Sequence, residues 1–166
     1  MTEQPRILDF QIIERASEKY ANLREVIVHI ELEEKIESFI VEIYKHFSPL
    51  QIKDCVAELV EKLDYVRPHT KNDTSNIMVP YMIFLIIKHF TTLVLPDSFP
   101  EQLKAIEHMT NTGTMFQIFM SMDEEEIARV QDEVSFVVDN LNLNVAKTEE
   151  YKNLIREKLV DKSLLD

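Results

Sequence analysis

Gly113 is the only glycine among the 166 residues of the chain. Tight β-hairpins and phosphate-binding loops favour glycine, because glycine adopts positive φ and allows close backbone approach without steric cost. A chain with one glycine is therefore expected to contain few such turns. The sequence predicts an all-α fold, namely a compact single-domain bundle of six or seven helices over residues 1–166, joined by short loops.

The segment from residue 6 to residue 48 leaves one alternative open. It contains no glycine and no proline between its ends, and its apolar residues recur every three or four positions in two stripes that slip in phase near residues 28–32. This pattern predicts two helices separated by a break. The sequence VIVHIELE, residues 26–33, also alternates with a period of two and is rich in β-branched residues, so a small strand pair with TLVL, residues 92–95, is the alternative.

The most apolar stretch of the chain is MVPYMIFLIIKHFTTLVLP, residues 78–96. A helix that spans a membrane needs about 20 mostly apolar residues, and Lys88 and His89 interrupt this stretch. Pro80 fits the first turn of a helix. Residues 81–87 are apolar on every side, which is typical of a fully surrounded helix. The stretch therefore predicts a central helix near residues 80–93 and no membrane association.

Local signals place several helix ends. Three serines have Glu or Gln three residues later, the pattern of a capping box at a helix start: Ser48, Ser98 and Ser121. Gly113 is expected to adopt positive φ after a helix. Residues 67–76 are predicted to form an exposed loop, and Thr148 is predicted to cap a last helix.

Charge and cysteine content limit the classes of partner. The formal net charge is −12, which disfavours nucleic acid and anionic membranes because both attract Lys and Arg. Such a charge suits solubility, or a basic protein partner. The single cysteine, Cys55, excludes an internal disulfide and a cysteine-rich zinc site, and we predict that it is a small core residue. The N-terminus lacks the pattern of a signal peptide, so a cytoplasmic location is expected.

Common catalytic and metal-binding motifs do not occur in the sequence. None of the five histidines has Glu three residues before it, as a di-iron bundle requires. The pairs Glu25–His29 and Glu42–His46 are spaced by four and are predicted to be surface ion pairs on helices. P-loop, dinucleotide and Gly-x-Ser-x-Gly motifs are missing from the sequence. The chain is therefore predicted to be no enzyme and to hold no cofactor and no metal.

One segment resembles part of a known family. FSPLQIKDCVAELVEKLDYV, residues 47–66, resembles the helix that follows a capped turn in winged-helix domains, which implies a transcription regulator. Recognition helices present several Lys or Arg side chains to DNA. Here two lysines, Lys53 and Lys62, stand against four acidic residues, so the charge disfavours this function.

The remaining pattern predicts a non-enzymatic, acidic helical protein that binds and regulates another protein, as an inhibitor, immunity protein, antitoxin or assembly chaperone does. The partner is expected to be another protein, with a basic protein and a second copy of the chain as the open choices. The candidate partner-binding residues are Met115, Phe116, Phe119, Met120, Met122, Asp123, Glu124 and Glu125, because methionine adapts to partner surfaces. The alternative is a small-molecule or lipid-binding bundle with a cavity lined by residues 80–93 and 115–122.

Overall fold

The computed structural model describes residues 7–66 and 77–141. Its elements, in chain order, are α1 (Phe10–Ser17), a 3-10 turn (Glu18–Ala21), β1 (Leu23–Leu32), β2 (Lys35–Tyr44), α2 (Pro49–Glu61), α3 (Leu63–Val66), α4 (Met78–Phe90), α5 (Phe99–Asn111), α6 (Thr114–Met120) and α7 (124–141). The prediction of an all-α bundle is wrong, because residues 23–44 form an antiparallel hairpin and the fold is α+β. The predicted loop at 67–76 and the helix capped by Thr148 lie outside the described residues.

The hairpin turn explains why the low glycine count wrongly predicted a fold without a tight β-hairpin. Glu33 and Glu34 connect β1 to β2 with φ values of 49° and 66°. A two-residue hairpin turn of this kind needs positive φ at both central residues, and Asn or Gly usually occupy them. Left-handed backbone costs an L-residue about 1–2 kcal/mol. The chain therefore makes a tight hairpin without glycine, at the expense of local strain.

The strand sequences carry apolar residues on both faces, which hides the period of two. The register places Leu23 opposite Tyr44 and Leu32 opposite Lys35. Val28, Val41 and Ile43 are buried on one face, while other apolar side chains point to the opposite face. The apolar residues therefore satisfy a helical spacing as well as a strand spacing. Their β-branched character is the signal that favours strands.

The apolar stretch forms α4, which ends at Phe90 and not at residue 93. Six of its side chains are buried: Tyr81, Phe84, Leu85, Ile86, Ile87 and Phe90. Helices α2, α5 and α6 contact α4. Pro80 lies in the first turn, where the missing N–H leaves no intrahelical bond unmade. In the part of the chain that the structure describes, no helix is long and apolar enough to span a bilayer.

Three contacts attach the hairpin to the helices. Helix α6 packs against β1. The Phe47 ring, just after β2, stacks on Phe90 with ring centroids 3.8 Å apart. The Thr92 N–H donates to the Glu42 carbonyl over 3.0 Å, so the chain after α4 pairs with the base of β2. Only this short pairing represents the predicted TLVL strand.

The helix-end predictions had mixed outcomes. Ser48 and Gln51 form the predicted capping box at the start of α2, which is confirmed. Ser98 is the N-cap of α5, but its hydroxyl donates to the Glu101 carboxylate over 2.6 Å and caps no backbone N–H. Gly113 has a φ of 72° between α5 and α6, as predicted.

The chain divides into two compact units, Met1–Val130 and Gln131–Asp166. The elements from α1 to α6 belong to the first unit. The described residues of the second unit, 131–141, are helical. That the chain is one domain stays a prediction.

Because the turn is strained, a substitution by glycine in it is expected to stabilise the protein. Glu34→Gly is expected to raise the free energy of unfolding by about 0.5–1 kcal/mol, because glycine adopts positive φ without the steric cost that glutamate bears. The matched variant Glu31→Gly, inside β1, is expected to lower it by about 1 kcal/mol. Urea denaturation of both variants measures the difference, and a loss of stability in Glu34→Gly would contradict a strained turn.

Candidate functional site

The predicted partner-binding residues separate into two groups. Met115 and Met122 are buried in the core. Phe116 and Met120 lie four residues apart on α6, and their exposed fractions are 69% and 63%. A partner can therefore contact only part of the predicted methionine-rich surface. Phe119 is half-buried between these two groups.

The acidic residues 123–125 are exposed and begin α7. Asp123 Oδ1 accepts from the backbone N–H groups of Glu125 and Glu126 over 2.9 and 3.3 Å. The helix start was predicted correctly, but the cap at Ser121 is wrong. The Ser121 hydroxyl instead donates to the Ile118 carbonyl over 2.6 Å and closes α6. The acidic run thus has a local structural role as the first turn of a helix.

Basic side chains face this acidic run. A wide, open groove is lined by Arg24, Lys45, His46, Met122, Asp123, Glu124 and Glu125. His46 Nδ1 lies 3.4 Å from Glu126, and the Arg24 guanidinium donates to the Ser121 carbonyl. Positive groups therefore partly offset the carboxylates, and the groove is not a uniformly acidic surface.

A second surface was missed by the sequence reasoning. We call it the outer face of the hairpin, the side opposite buried Val28 and Val41. Ile27 lies directly opposite Ile40 on this face, and Ile36 lies further along β2. The exposed fractions are 61%, 63% and 76% for Ile27, Ile40 and Ile36. Grouped isoleucines with this exposure form an apolar patch of the kind that marks interaction sites.

Glutamates surround this patch. Glu25 lies directly opposite Glu42 on the same face as Ile27 and Ile40. Like charges at directly opposite positions destabilise a strand pair. Over residues 23–44 there are six glutamates and two basic residues, Arg24 and Lys35. The hairpin therefore presents an apolar centre within a negative surround.

Helix α1 carries a further uncovered apolar surface. It begins at Asp9, whose Oδ1 accepts from the Ile12 N–H over 3.0 Å. None of its residues is buried, although it is strongly amphipathic. Its exposed apolar side chains, with those just before it, are Ile7, Leu8, Phe10, Ile12 and Ile13.

The histidine pairs were predicted wrongly, because their residues lie on or beside strands and not on helices. His29 Nδ1 lies 3.0 Å from the Ser38 hydroxyl, and Glu25 is paired across the sheet with Glu42. Four residues along a strand are too far apart for the contact that they make along a helix.

The best-connected polar cluster is centred on Glu58 of α2. Its carboxylate accepts from Lys88 Nζ, His89 Nε2 and Gln102 Nε2 over 2.7, 2.7 and 2.6 Å. Gln102 is buried, and its carbonyl accepts from the Tyr81 hydroxyl over 2.6 Å. The cluster joins α2, α4 and α5. Sequence spacing gave no sign of it, because the partners are 30 or more residues away from Glu58.

The hydrogen bonds of this cluster favour the charged forms of Glu58 and Lys88. Burial acts to raise the pKa of Glu58, but the hydrogen bonds from Lys88, Gln102 and His89 outweigh burial and hold the pKa below its ordinary 4.5. Burial acts to lower the pKa of Lys88, and its bonds to Asp97 and Glu58 reverse this and raise the pKa. A carboxylate held by three donors is a weak base, so the cluster suits structural positioning better than proton transfer.

Cys55 is buried beside this cluster, which confirms the prediction of a core residue. Burial, followed by the nearby Glu58 charge, raises the pKa of its thiol to about 12. Such a thiol has almost no thiolate at neutral pH and is a poor nucleophile. Across residues 7–66 and 77–141, no group of three or more His, Cys, Asp or Glu side chains is arranged to hold a metal ion.

Comparison with known proteins gives one result. A family model described as YomO matches residues 10–166. No curated protein and no solved structure matches the chain.

Removal of the Glu58 charge is expected to lower the stability of the fold, and the size of the effect should depend on pH. Glu58→Gln is expected to lower the free energy of unfolding by about 1–3 kcal/mol at pH 7, because Lys88 and His89 lose a charged acceptor. The pKa of Glu58 is lower in the folded chain than in the unfolded chain. Its contribution is therefore present above pH 4.5 and is lost as the pH falls through the folded-state pKa.

Denaturation of the wild type and the variant from pH 7 to pH 3 measures this effect, and the two curves should converge on acidification. Glu61→Gln is the matched control, since Glu61 lies on the same helix but pairs with Lys62 at the surface. Its cost is expected to stay under about 1 kcal/mol. A pH-independent gap between Glu58→Gln and the wild type would show that the lost ionisation is not the cause.

Proposed function

We propose that this chain, which belongs to the YomO family, binds another protein through the outer face of its β-hairpin. The partner presents apolar side chains to Ile27, Ile36 and Ile40 and basic side chains to the surrounding glutamates. The function is binding and regulation without catalysis.

One observation carries the proposal: three exposed isoleucines lie beside two glutamates placed directly opposite each other. Exposure of the isoleucines to water is unfavourable, by up to about 1.5–3 kcal/mol for each side chain relative to full burial. The glutamate pair repels itself. A partner with apolar and cationic groups relieves both costs at once, which a purely apolar or purely charged partner does not.

The rest of the chain supports a basic partner. The net charge of −12 attracts cationic proteins over long range and speeds their encounter. The glutamates at the hairpin tip, Glu33 and Glu34, add negative charge next to the apolar patch. Binding without catalysis agrees with the Glu58 cluster, whose charged groups bond to one another.

The small-molecule alternative has one supporting observation. An apolar hollow of about 140 Å³ is lined by Ile83, Thr110, Gly113, Met115, Phe116 and Phe119, where a cavity was predicted. A cavity of about 150 Å³ accepts benzene, whereas drug-sized ligands need about 300–1,000 Å³. The hollow suits a single apolar ring and is too small to enclose a lipid, so protein binding is the better supported function.

A defined peptide tests the proposal on the full chain. A short labelled peptide in which valine and lysine alternate is expected to bind in fluorescence polarisation. Peptides with serine in place of valine, or with glutamate in place of lysine, are expected not to bind. The double variant Ile27→Ser with Ile40→Ser should weaken binding about tenfold or more through lost apolar contact.

Val94→Ser is the matched control, because Val94 is an exposed apolar residue outside the hairpin. Its affinity for the peptide should equal that of the wild type, and circular dichroism should show that each variant is folded. Equal binding of the serine–lysine peptide would mean that charge alone drives association and would overturn the proposed apolar contact.

The glutamate pair predicts opposite effects on stability and on binding. The double variant Glu25→Gln with Glu42→Gln should gain about 0.2–1 kcal/mol of folding stability because the repulsion is removed. It should also bind the valine–lysine peptide several-fold more weakly. The control, Glu61→Gln with Glu107→Gln, changes the net charge equally but lies outside the hairpin. If both double variants lose the same affinity, the hairpin has no special role.

A further inference from the structure

The two long edges of the hairpin differ in their backbone hydrogen bonding. On the edge of β1, the Gln117 side-chain amide bonds to both backbone groups of His29. The His29 N–H donates to Gln117 Oε1 over 2.8 Å, and Gln117 Nε2 donates to the His29 carbonyl over 2.8 Å. The amide thus fills the position that a peptide group of a third strand would occupy.

In the described part of the chain, only the base of the β2 edge has a backbone partner. The Glu42 carbonyl accepts from the Thr92 N–H there. Backbone groups alternate in direction along a strand, so those of Ile36, Ser38 and Ile40 point away from β1 as those of Glu42 do. Within the ranges 7–66 and 77–141, no group hydrogen-bonds to these outward backbone groups. We call the segment 36–40, between the strained turn and the contact with Thr92, the open edge of β2.

The open edge is also apolar and negatively surrounded. Ile36 and Ile40 project from it onto the outer face, and both are exposed. Natural proteins usually cover or charge such an edge, because it is a template for another strand. Its side chains and its unpaired backbone groups lie on one five-residue segment, where the same extended peptide can reach both.

We propose that the partner segment adds to residues 36–40 as a third, antiparallel β-strand, with apolar residues alternating with Lys or Arg. This inference rests on the proposed protein-binding function and specifies its geometry. Residues of the added strand that hydrogen-bond to Ile36, Ser38 and Ile40 have their side chains on the outer face, because directly opposed residues share a face. These are the apolar residues of the partner. Its basic residues lie near Glu37 on the other face and beyond the strand ends near Glu34 and Glu42.

Charge favours a basic partner over a second copy of the chain. The open edge is centred on Ser38, and antiparallel self-pairing about Ser38 places Glu34 of one copy opposite Glu42 of the other. That arrangement adds like-charge contacts to an already acidic hairpin. A basic strand avoids these like-charge contacts, and its basic residue next to Glu37 adds an opposite-charge contact.

Two proline variants separate strand addition from simple contact with the face. Proline lacks the N–H that an added strand needs, and an edge strand tolerates it where the N–H points outward. Ser38→Pro removes an outward N–H from the open edge. Glu31→Pro is the matched control, since the Glu31 N–H points outward on the edge of β1. Ser38→Ala controls for the lost bond to His29. Ser38→Pro should weaken binding of the valine–lysine peptide about tenfold or more, while the other two variants bind as the wild type does.

Backbone methylation of the peptide gives a second test that leaves the protein unchanged. Methylation of the valine nitrogens should abolish binding, because those N–H groups face β2 in an antiparallel addition. Methylation of the lysine nitrogens should leave binding within about twofold. Equal effects of the two methylations, or an effect confined to lysine, would overturn the antiparallel strand.

The outcomes also separate this inference from the proposed function. If Ile27→Ser with Ile40→Ser weakens binding but Ser38→Pro and valine methylation do not, the outer face binds its partner without strand addition. If the unmodified peptide fails to bind at all, the proposed function fails with it. Light scattering of the wild type alone should show a monomer. A dimer that Ser38→Pro dissociates would assign the edge to a second copy and overturn the basic partner.

Discussion

The burial of α4 is the constraint on which the first unit depends. A helix surrounded by protein on most sides brings neighbouring polar groups out of water, and each such group needs a partner. The Tyr81 hydroxyl meets this need through Gln102, and Gln102 meets it through Glu58. Glu58 in turn binds Lys88 and His89 near the end of α4. The apolar packing and this polar chain therefore fix the same three helices, α2, α4 and α5.

The hairpin differs from this core, in which the buried polar groups have hydrogen-bond partners. It combines a turn with two glutamates at positive φ, a directly opposed pair of glutamates and a group of exposed isoleucines. Each feature opposes the stability of the free protein, and each would be removed by a single kind of substitution. Local conflicts of this sort concentrate at sites where a protein does its work. The contrast with the Glu58 cluster, whose charged groups bond to one another, is the reason that the hairpin is proposed as the binding surface.

Local sequence signals correctly predicted those features of the structure that depend on residues close together in the chain. The capping box of Ser48, the positive φ of Gly113 and the burial of Cys55 all depend on short-range pattern or residue type. The hairpin was assigned to helices because scarce glycine normally means few tight turns, and Glu33 and Glu34 break that rule. The outer face followed from the pairing register, and the bond from Gln117 to His29 joins residues 88 positions apart. No rule of sequence spacing relates residues so far apart in the chain, so these features could be recognised only from the structure.

The Gln117 amide has a consequence for assembly. A sheet with two open edges can extend in both directions and polymerise, as fibrils do. In this hairpin a side chain from α6 occupies the edge of β1 at His29, and no strand can pair with His29 while that amide is in place. Any addition at the open edge of β2 ends with a strand that belongs to a different molecule, whose own outer edge decides whether growth continues. The glutamine thus acts as a chain terminator for the part of the β1 edge around His29, and it opposes growth of the sheet in that direction.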